Sequence, residues 1–305
     1  MQYDTLGQTG LTVSRLALGA MMFGPGGNDD VDDCTRLIHL ALDAGVNLID
    51  TADRYGRGVS EEIVGRAIRG RRDDVVVATK CWGRMARDRN AGGASRRWIV
   101  RAVEHSLTRL GTDYIDLYQL HRPDLDALPE ETHEALSDLV RQGKVRAIGT
   151  SNHPAELLVR LHWQARRRHL VPVRSEQAPY SLFRRSVERA VLPTAARHGM
   201  GVLVYSPLDY GWLTGKYRAD APWPADSRGA AAFLDADRWD PEVPAVRRKL
   251  ALVEQLSAVA DHEGCTLLEL AYGFVLSHPS VSAAIVGPRL EHHLTAALAC
   301  ADRRL

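Results

Sequence analysis

The apolar run Val46 to Ile49 ends abruptly in Asp50, and Tyr55-Gly56 follows five residues later. Val75-Val76-Val77-Ala78-Thr79 runs into Lys80, and Tyr114 to Leu120 runs into His121. A titratable group closing a buried run is costly unless it is paired or used. Singly, each has an ordinary reading: Asp50 as a turn cap, Tyr55 as a loop aromatic, His121 as a hydrogen-bonded structural histidine. Lys80 is the hardest to explain that way, because only Lys80, Lys144, Lys216 and Lys249 are lysines among 39 basic residues. Where arginine is the default cation, a strand-end lysine suggests a site that wants a compact ammonium. Together the four make an acid–base device. A phenol with a pKa of about 10 is a poor donor at neutral pH unless its phenolate is stabilised. An adjacent ammonium does that, and a carboxylate holds the ammonium in place and charged. Tyr55 is therefore read as general acid, Lys80 as lowering its pKa, Asp50 as anchoring Lys80, and His121 as orienting the substrate oxygen. No serine or cysteine nucleophile with a base is apparent, and no metal-ligand spacing. Protonation of an oxygen during carbonyl reduction by an external hydride fits such a set.

These residues need elements to hold them. Residues 2–18 read as two short strands around Gly7-Gln8-Thr9-Gly10, a hairpin before the main pattern. Leu16 to Gly19 then opens an alternation of apolar runs and amphipathic segments. Leu37, Leu40, Ala41 and Ala44 fall at helical spacing, closed by Gly45 before the Val46 run. Ser60-Glu61-Glu62 starts a second helix ending at Gly70, and Ile99 to Leu110 marks a third, closed by Gly111. Strand 114–120 precedes a helix near 130–141, Val145–Thr150 a helix opened by Pro154, and Val173–Gln177 a helix around 187–198. Gly201–Tyr205 is the seventh strand, and Ser282–Val286 the eighth, followed by a helix from about Glu291. Eight strands, each followed by helix, predict an α/β fold, a (β/α)8 TIM barrel forming one domain over 1–305. An open doubly wound sheet is the alternative, but no G-x-G-x-x-G follows the first strand. Long loops at 83–95 and 209–243 break the rhythm and read as functional loops. All the singled-out polar residues fall at strand C-terminal ends, the face where such barrels place their sites.

Composition narrows the classes. With 45% hydrophobic and 25% charged residues the chain is ordinary globular material. A net charge of +1 offers no basic footprint for nucleic acid or membrane. No signal-peptide pattern opens the chain, and no apolar stretch approaches the roughly 20 residues of a membrane span. Cys34, Cys81, Cys265 and Cys300 are read as reduced thiols of a cytoplasmic protein.

The sequence resembles the aldo-keto reductase family over essentially its whole length. The likeness rests on Leu6-Gly7-Gln8-Thr9-Gly10-Leu11-Thr12-Val13-Ser14, Asp50-Thr51-Ala52 with Tyr55-Gly56, Ser60-Glu61-Glu62 and Ala78-Thr79-Lys80. It continues through Arg109-Leu110-Gly111-Thr112-Asp113-Tyr114-Ile115-Asp116-Leu117 to His121, then Ser151-Asn152, Tyr205-Ser206-Pro207-Leu208, Leu213 to Tyr217 and Ile285-Val286-Gly287. The resemblance implies an NADPH-dependent reductase with its Asp/Tyr/Lys/His tetrad at Asp50, Tyr55, Lys80 and His121, and NADPH (NADP+) extended across the barrel mouth. It further implies that Ser151, Asn152 and Gln177 bond the nicotinamide carboxamide and that Tyr205 stacks on the ring. Ser206, Leu208 and Gly211, with Lys216, would cradle the pyrophosphate, and Gly287 and Arg289 would meet the adenosine 2′-phosphate, where a guanidinium can bind bidentately. One departure is that His293 and Ala297 stand where the family commonly carries glutamine and then asparagine gripping the adenosine. Relatives often continue past the position of Leu305 into a tail that contributes to the substrate pocket. The Val13-Ser14 opening and long loops look like the bacterial branches. Trp82, Trp223 and Trp239 are candidates to stack on a ring-shaped, sugar-like substrate or secondary metabolite, with simple loop packing as the competing reading. The expected partner is a small-molecule carbonyl compound, with neither nucleic acid nor membrane, and the expected state is a monomer or simple homo-oligomer. A second reading is a cofactor-binding regulatory subunit resembling voltage-gated potassium-channel β subunits, which keep the same tetrad. The absence of an N-terminal inactivation segment before Tyr3 favours the enzyme.

Overall fold

The computed structural model describes residues 1–231 and 235–301. Residues 232–234 of the predicted 209–243 loop, and residues 302–305, lie outside the described residues. Strands β1 (Tyr3–Thr5) and β2 (Thr12–Ser14) pair antiparallel, so the hairpin ends at Ser14 and Leu16 already belongs to the barrel. The barrel strands are β3 (Leu16–Gly19), β4 (Leu48–Asp50), β5 (Val76–Cys81), β6 (Ile115–Leu120), β7 (Val145–Ser151), β8 (Ser175–Pro179), β9 (Gly201–Tyr205) and β10 (Val281–Val286). All are parallel in sequence order, and β10 closes against β3. A (β/α)8 barrel with an N-terminal hairpin is the architecture.

The helices are α1 (Val31–Asp43), α2 (Val59–Ala67), α3 (Arg96–Leu110), α4 (Pro129–Arg141), α5 (Ala155–Arg168), α6 (Val191–Arg197), α7 (Pro244–His262), α8 (Leu267–Ser277) and α9 (Glu291–Ala299). Local chemistry sets their ends. The Asp30 carboxylate accepts from the N–H groups of Asp32 and Asp33 at the start of α1, and Ser95 caps α3, which Gly111 closes in the left-handed region. Thr266 and Glu269 form a reciprocal capping box at α8. The strand beginning at Val46 forms its ladder only from Leu48, because Asn47 is turned to the hairpin. Its side chain accepts from Ser14 N–H at 2.7 Å and donates to the Thr12 carbonyl at 2.9 Å.

The barrel interior is a layered core. Ala17, Leu48, Ala78, Leu117, Ala147, Leu203 and Ala283 fill its lower part, and Leu6 from the hairpin turn closes the bottom. The turn approaches closely: a Cβ at Gly7 would lie 2.2 Å from Gly201 N. Higher up, a Cβ at Gly149 would lie 2.2 Å from Ser175 Oγ, so glycine there leaves space for polar side chains across the interior. The segment after β9 is no open loop. Trp212, Tyr217 and Trp239 are buried with Val246, Leu250 and Val253 of α7 in a second core. Among the described residues, no helix is long and apolar enough to cross a membrane.

Candidate active site

Strand side chains alternate between the two faces, so the residue two beyond a core residue shares its face one layer higher. Two places beyond Leu48, Ala78, Leu117 and Ser175 stand Asp50, Lys80, Gln119 and Gln177. The ladder sets Lys80 beside Gln119 and Ser151 beside Gln177. A polar layer therefore sits directly on the apolar one.

Lys80 is 0% exposed and Asp50 3%. Lys80 Nζ donates to Asp50 Oδ2 at 2.7 Å, to the Thr51 carbonyl at 2.8 Å and to the Tyr55 hydroxyl at 3.3 Å. The other oxygen of Asp50 accepts from Gln177 Nε2 at 2.8 Å. Burial alone would depress the ammonium, but Asp50 and Tyr55 hold its pKa above the ordinary lysine value. For Tyr55, burial raises the pKa, Lys80 pulls it down and Asp50 pushes it up again. The expected pull of Lys80 is present, but the phenol as a whole lies above its ordinary value, because burial outweighs one ammonium shared with a carboxylate. Tyr55 thus holds its proton at neutral pH.

Tyr55 is presented by a turn in which Gly56, Arg57 and Gly58 all have left-handed φ, at 54°, 57° and 101°. The turn rests on Arg109 of α3: a Cβ at Gly58 would lie 2.6 Å from Arg109 Cδ. Arg109 in turn donates to the buried Glu61 at 2.6 Å, and Glu61 accepts from Thr79 Oγ1 at 2.6 Å. His121, held through its N–H to the Cys81 carbonyl at 2.9 Å, sets its ring edge-on to Tyr55 with centroids 5.7 Å apart. Burial, then Lys80, Arg122 and Arg54, push the imidazole down to about 3, so it is neutral, and its buried Nδ1 has no hydrogen-bond partner. A neutral imidazole carries one N–H that can donate to a substrate oxygen.

The opposite wall gathers the remaining candidates. Ser151 Oγ donates to the Gln177 carbonyl at 2.9 Å and accepts from Asn152 Nδ2 at 3.0 Å, while Asn152 Oδ1 accepts from the Tyr205 hydroxyl at 2.7 Å. Asn152 Oδ1 retains a second lone pair for an amide N–H, and Gln177 Nε2 gives one of its two N–H groups to Asp50. Beyond β9, Ser206, Asp209, Tyr210 and Gly211 all have positive φ, and the turn closes on itself, Asp209 N–H donating to the Ser206 carbonyl and Gly211 N–H to the Leu208 carbonyl, both at 2.9 Å. Leu208 packs between the two cores. Lys216 lies over this turn, its Cε 3.4 Å from where a Cβ of Gly211 would be. Burial lowers the pKa of Lys216, Asp226 opposes that, and Arg228 and Arg289 lower it further. Three cations thus converge on one acid, a balance that suits a phosphate. Arg289 also donates to the Asp226 carbonyl. Gly287 is open, with nothing within 4 Å of a built Cβ. His293 is pushed down to about 4 by burial, then by His292 and Lys216. Its ligand atoms and those of His292 and Asp226 lie within 4.8 Å of one another, but the neighbouring Lys216 and Arg289 disfavour a cation there.

The tryptophans separate. Trp82 follows β5 at the mouth, half-buried. Trp239 is 2% exposed and stacks on Trp212 at 5.3 Å and 8°. Trp223 meets Trp212 edge-on at 5.9 Å and donates its indole N–H to the Trp239 carbonyl at 2.9 Å. These contacts are of the loop-packing kind set beside substrate stacking for Trp223 and Trp239. Sequence reasoning passed over Gln119, Asp53, Arg109 and Asp209. Asp209 is buried between Arg184 at 2.9 Å and Lys249 at 2.6 Å, tying the turn after β9 to α7.

A parallel eight-stranded barrel with this tetrad at its mouth defines a class, and the sequence pattern of the Aldo/keto reductase family matches residues 15–305. The chain belongs to that family, whose members include oxidoreductases. It is 38% identical over 304 residues to the aldo-keto reductase YhdN of Bacillus subtilis (strain 168), covering 97% of this chain and 87% of that protein. It is 39% identical over 299 residues to a probable voltage-gated potassium channel subunit beta of Oryza sativa subsp. japonica, covering 96% and 89%. The uncharacterized oxidoreductase YrpG of Bacillus subtilis (strain 168) is 38% identical over 308 residues, covering 96% and 89%.

Proposed function

We propose that the protein is an NADPH-dependent reductase that converts an aldehyde or ketone to an alcohol, acting as one barrel domain over residues 1–305. The observation that carries this reading is the buried Lys80 ammonium bridging the Asp50 carboxylate and the Tyr55 phenol, beside a neutral His121. The nicotinamide, when bound, supplies the hydride. The protein residues hold the carbonyl oxygen between the Tyr55 hydroxyl and the His121 N–H. As negative charge develops on that oxygen, Tyr55 gives up its proton, and Lys80 stabilises the phenolate left behind. Asp50 keeps the ammonium charged throughout that transfer. Ser151, Asn152 and Gln177 would face the carboxamide and Tyr205 the ring. Ser206, Gly211, Lys216 and Arg289 would take the phosphates, an assignment supported by the excess of cations there.

Tyr55→Phe removes the proton but leaves the cofactor residues, so NADPH binding should persist while turnover falls at least ~100-fold. Unchanged turnover would sink the assignment. The likeness to potassium-channel β subunits favours one second reading, a cofactor-binding regulatory subunit. Tight NADPH binding without turnover on any carbonyl, together with a stable membrane-protein partner in a pull-down, would establish it.

A further inference from the structure

A second cluster of cations lies at the Tyr55 turn and the segment after β5. A cavity of about 730 Å³ opens between the Tyr55 turn and the segment after β5, lined by Arg57, Arg84, Ala86 and Arg87. Arg54, beside Tyr55, reaches the same segment: a Cβ at Gly83 would lie 2.9 Å from Arg54 Cβ. Arg54 and Arg122 both act electrostatically on His121, so the cationic rim extends to the catalytic groups.

Several exposed arginines of this molecule find carboxylates, as Arg66 does at Asp32, Arg96 at Asp138 and Arg168 at Glu134, while others, such as Arg69 and Arg197, stand singly on the surface among the described residues. Among the described residues, Arg54, Arg57, Arg84, Arg87 and Arg122 make no ion pair. Arg84 satisfies its N–H groups on the carbonyls of Ala86 and Arg87, which leaves its charge uncompensated. The nearby acids are turned away: Asp88 accepts from Asn90 N–H and lies 3.9 Å from Arg101, and Asp124 accepts from Ala94 N–H. Like charges around a concavity repel one another and focus a positive potential into it. With a net charge of only +1, this accumulation is local. It is distinct from Lys216, which follows β9, opposite β5 in the barrel order, whereas Arg289 follows β10, two strands from β4.

We propose that the substrate carries an anionic group, a phosphate or a carboxylate, and that Arg57 and Arg87 hold it while the carbonyl oxygen lies between Tyr55 and His121. Arg54 and Arg84 add to the field that draws it in. This rests on the reductase reading and adds the class of compound reduced. Planar guanidinium groups suit both oxyanions, since each can take two parallel N–H bonds.

Three probes with the same reacting carbonyl test it: benzaldehyde, 4-carboxybenzaldehyde and 4-formylphenyl phosphate, each with NADPH at low salt. The wild type is compared with Arg87→Glu, Arg87→Lys and Arg57→Asn, asparagine being tolerant of the left-handed φ at that position. At least one anionic probe should exceed benzaldehyde about tenfold or more in kcat/KM, mainly through KM, and the preferred one tells phosphate from carboxylate. That ratio should fall about tenfold in Arg87→Glu and Arg57→Asn, be largely kept in Arg87→Lys, and shrink as salt rises. Equal kcat/KM for neutral and anionic probes, or a ratio unmoved by Arg87→Glu, overturns the proposal while leaving the reductase intact. If no probe is turned over, calorimetric titration with benzoate and phenyl phosphate in the presence of NADP+ decides. Binding lost in Arg87→Glu upholds the anion site and fails the reductase reading, and no binding to the wild type overturns the anion site.

Discussion

Burial raises the pKa of Tyr55 and Lys80 lowers it, and Lys80 is itself shared with Asp50. Removing one member of a buried pair leaves the other uncompensated, at a typical cost of 3–5 kcal/mol. Lys80→Met should therefore abolish turnover and lower stability by about 3 kcal/mol or more, because Asp50 is left buried without its ammonium. The double variant Asp50→Asn with Lys80→Met should regain most of that stability in denaturant titration and none of the activity. A second carboxyl obeys a different rule. Asp53 is 1% exposed, no side-chain donor is paired with it, and burial followed by Glu61 pushes its pKa from 3.8 up to about 7, against the smaller opposing pull of Arg109 and the Arg54 and Trp82 N–H groups. The folded state then binds a proton that the unfolded state has released, so stability falls as pH rises from about 4 to about 7 and levels off above it. The full difference is on the order of 4 kcal/mol. Asp53→Asn should stabilise the protein at pH 8, do nothing at pH 4, and flatten the interval between. An unaltered pH slope in thermal melts would show that Asp53 is ionised in the folded protein.

At the scale of elements, the site is held by two clamps of unequal strength. The Tyr55 turn sits on Arg109 and Glu61, inside the main core. The turn after β9 is held through Asp209 and through the aromatic core of the insertion, which packs on α7. Trp239→Ala empties an aromatic volume from that smaller core, a change worth about 3–5 kcal/mol locally. It should weaken NADPH binding and expose the insertion to proteolysis while leaving the barrel's cooperative unfolding in place. Loss of the whole fold in Trp239→Ala would mean that the two cores unfold as one. This contrast also explains what was legible in the sequence. The barrel and the tetrad could be read because each strand couples an apolar run to a polar end. Gln119 was hidden because all six residues of Ile115–Leu120 are buried, the outward ones against helices, so no alternation marks the inward polar one. The helices α7 and α8 escaped because α7 buries only four of its residues, mostly against the insertion, a partner assembled from distant aromatics. Trp223 and Trp239 carried two readings for the same reason: in sequence, a loop aromatic awaiting a ligand and one packed on its own neighbours look alike.

For the whole molecule, charge is arranged by place rather than amount. The chain is nearly neutral, yet the barrel mouth has Lys216, Arg228 and Arg289 as one group and the arginines of the Tyr55 turn and the segment after β5 as another. An apolar floor separates both groups from the hairpin end. A dinucleotide bearing a 2′-phosphate would bring more negative charge to the first group than one without it, and the surplus would fall on Arg289. A hydrogen bond to a charged partner is worth roughly 1.5–3 kcal/mol, or about ten- to a hundredfold in affinity. Arg289→Ala should accordingly raise the Kd of NADPH by about that factor and leave NADH nearly unchanged. Two effects oppose one another in this variant. It removes the guanidinium, but it also relieves the repulsion felt by Lys216, whose pKa Arg289 lowers. Lys216 then keeps the pyrophosphate contact, so the loss should be selective. Raising salt from about 0.01 to 0.15 M should weaken NADPH in the wild type more than in Arg289→Ala, because the screened interaction is the one deleted. Equal weakening of NADPH and NADH by the substitution would place Arg289 in the latch to Asp226, holding the insertion closed, rather than on the 2′-phosphate.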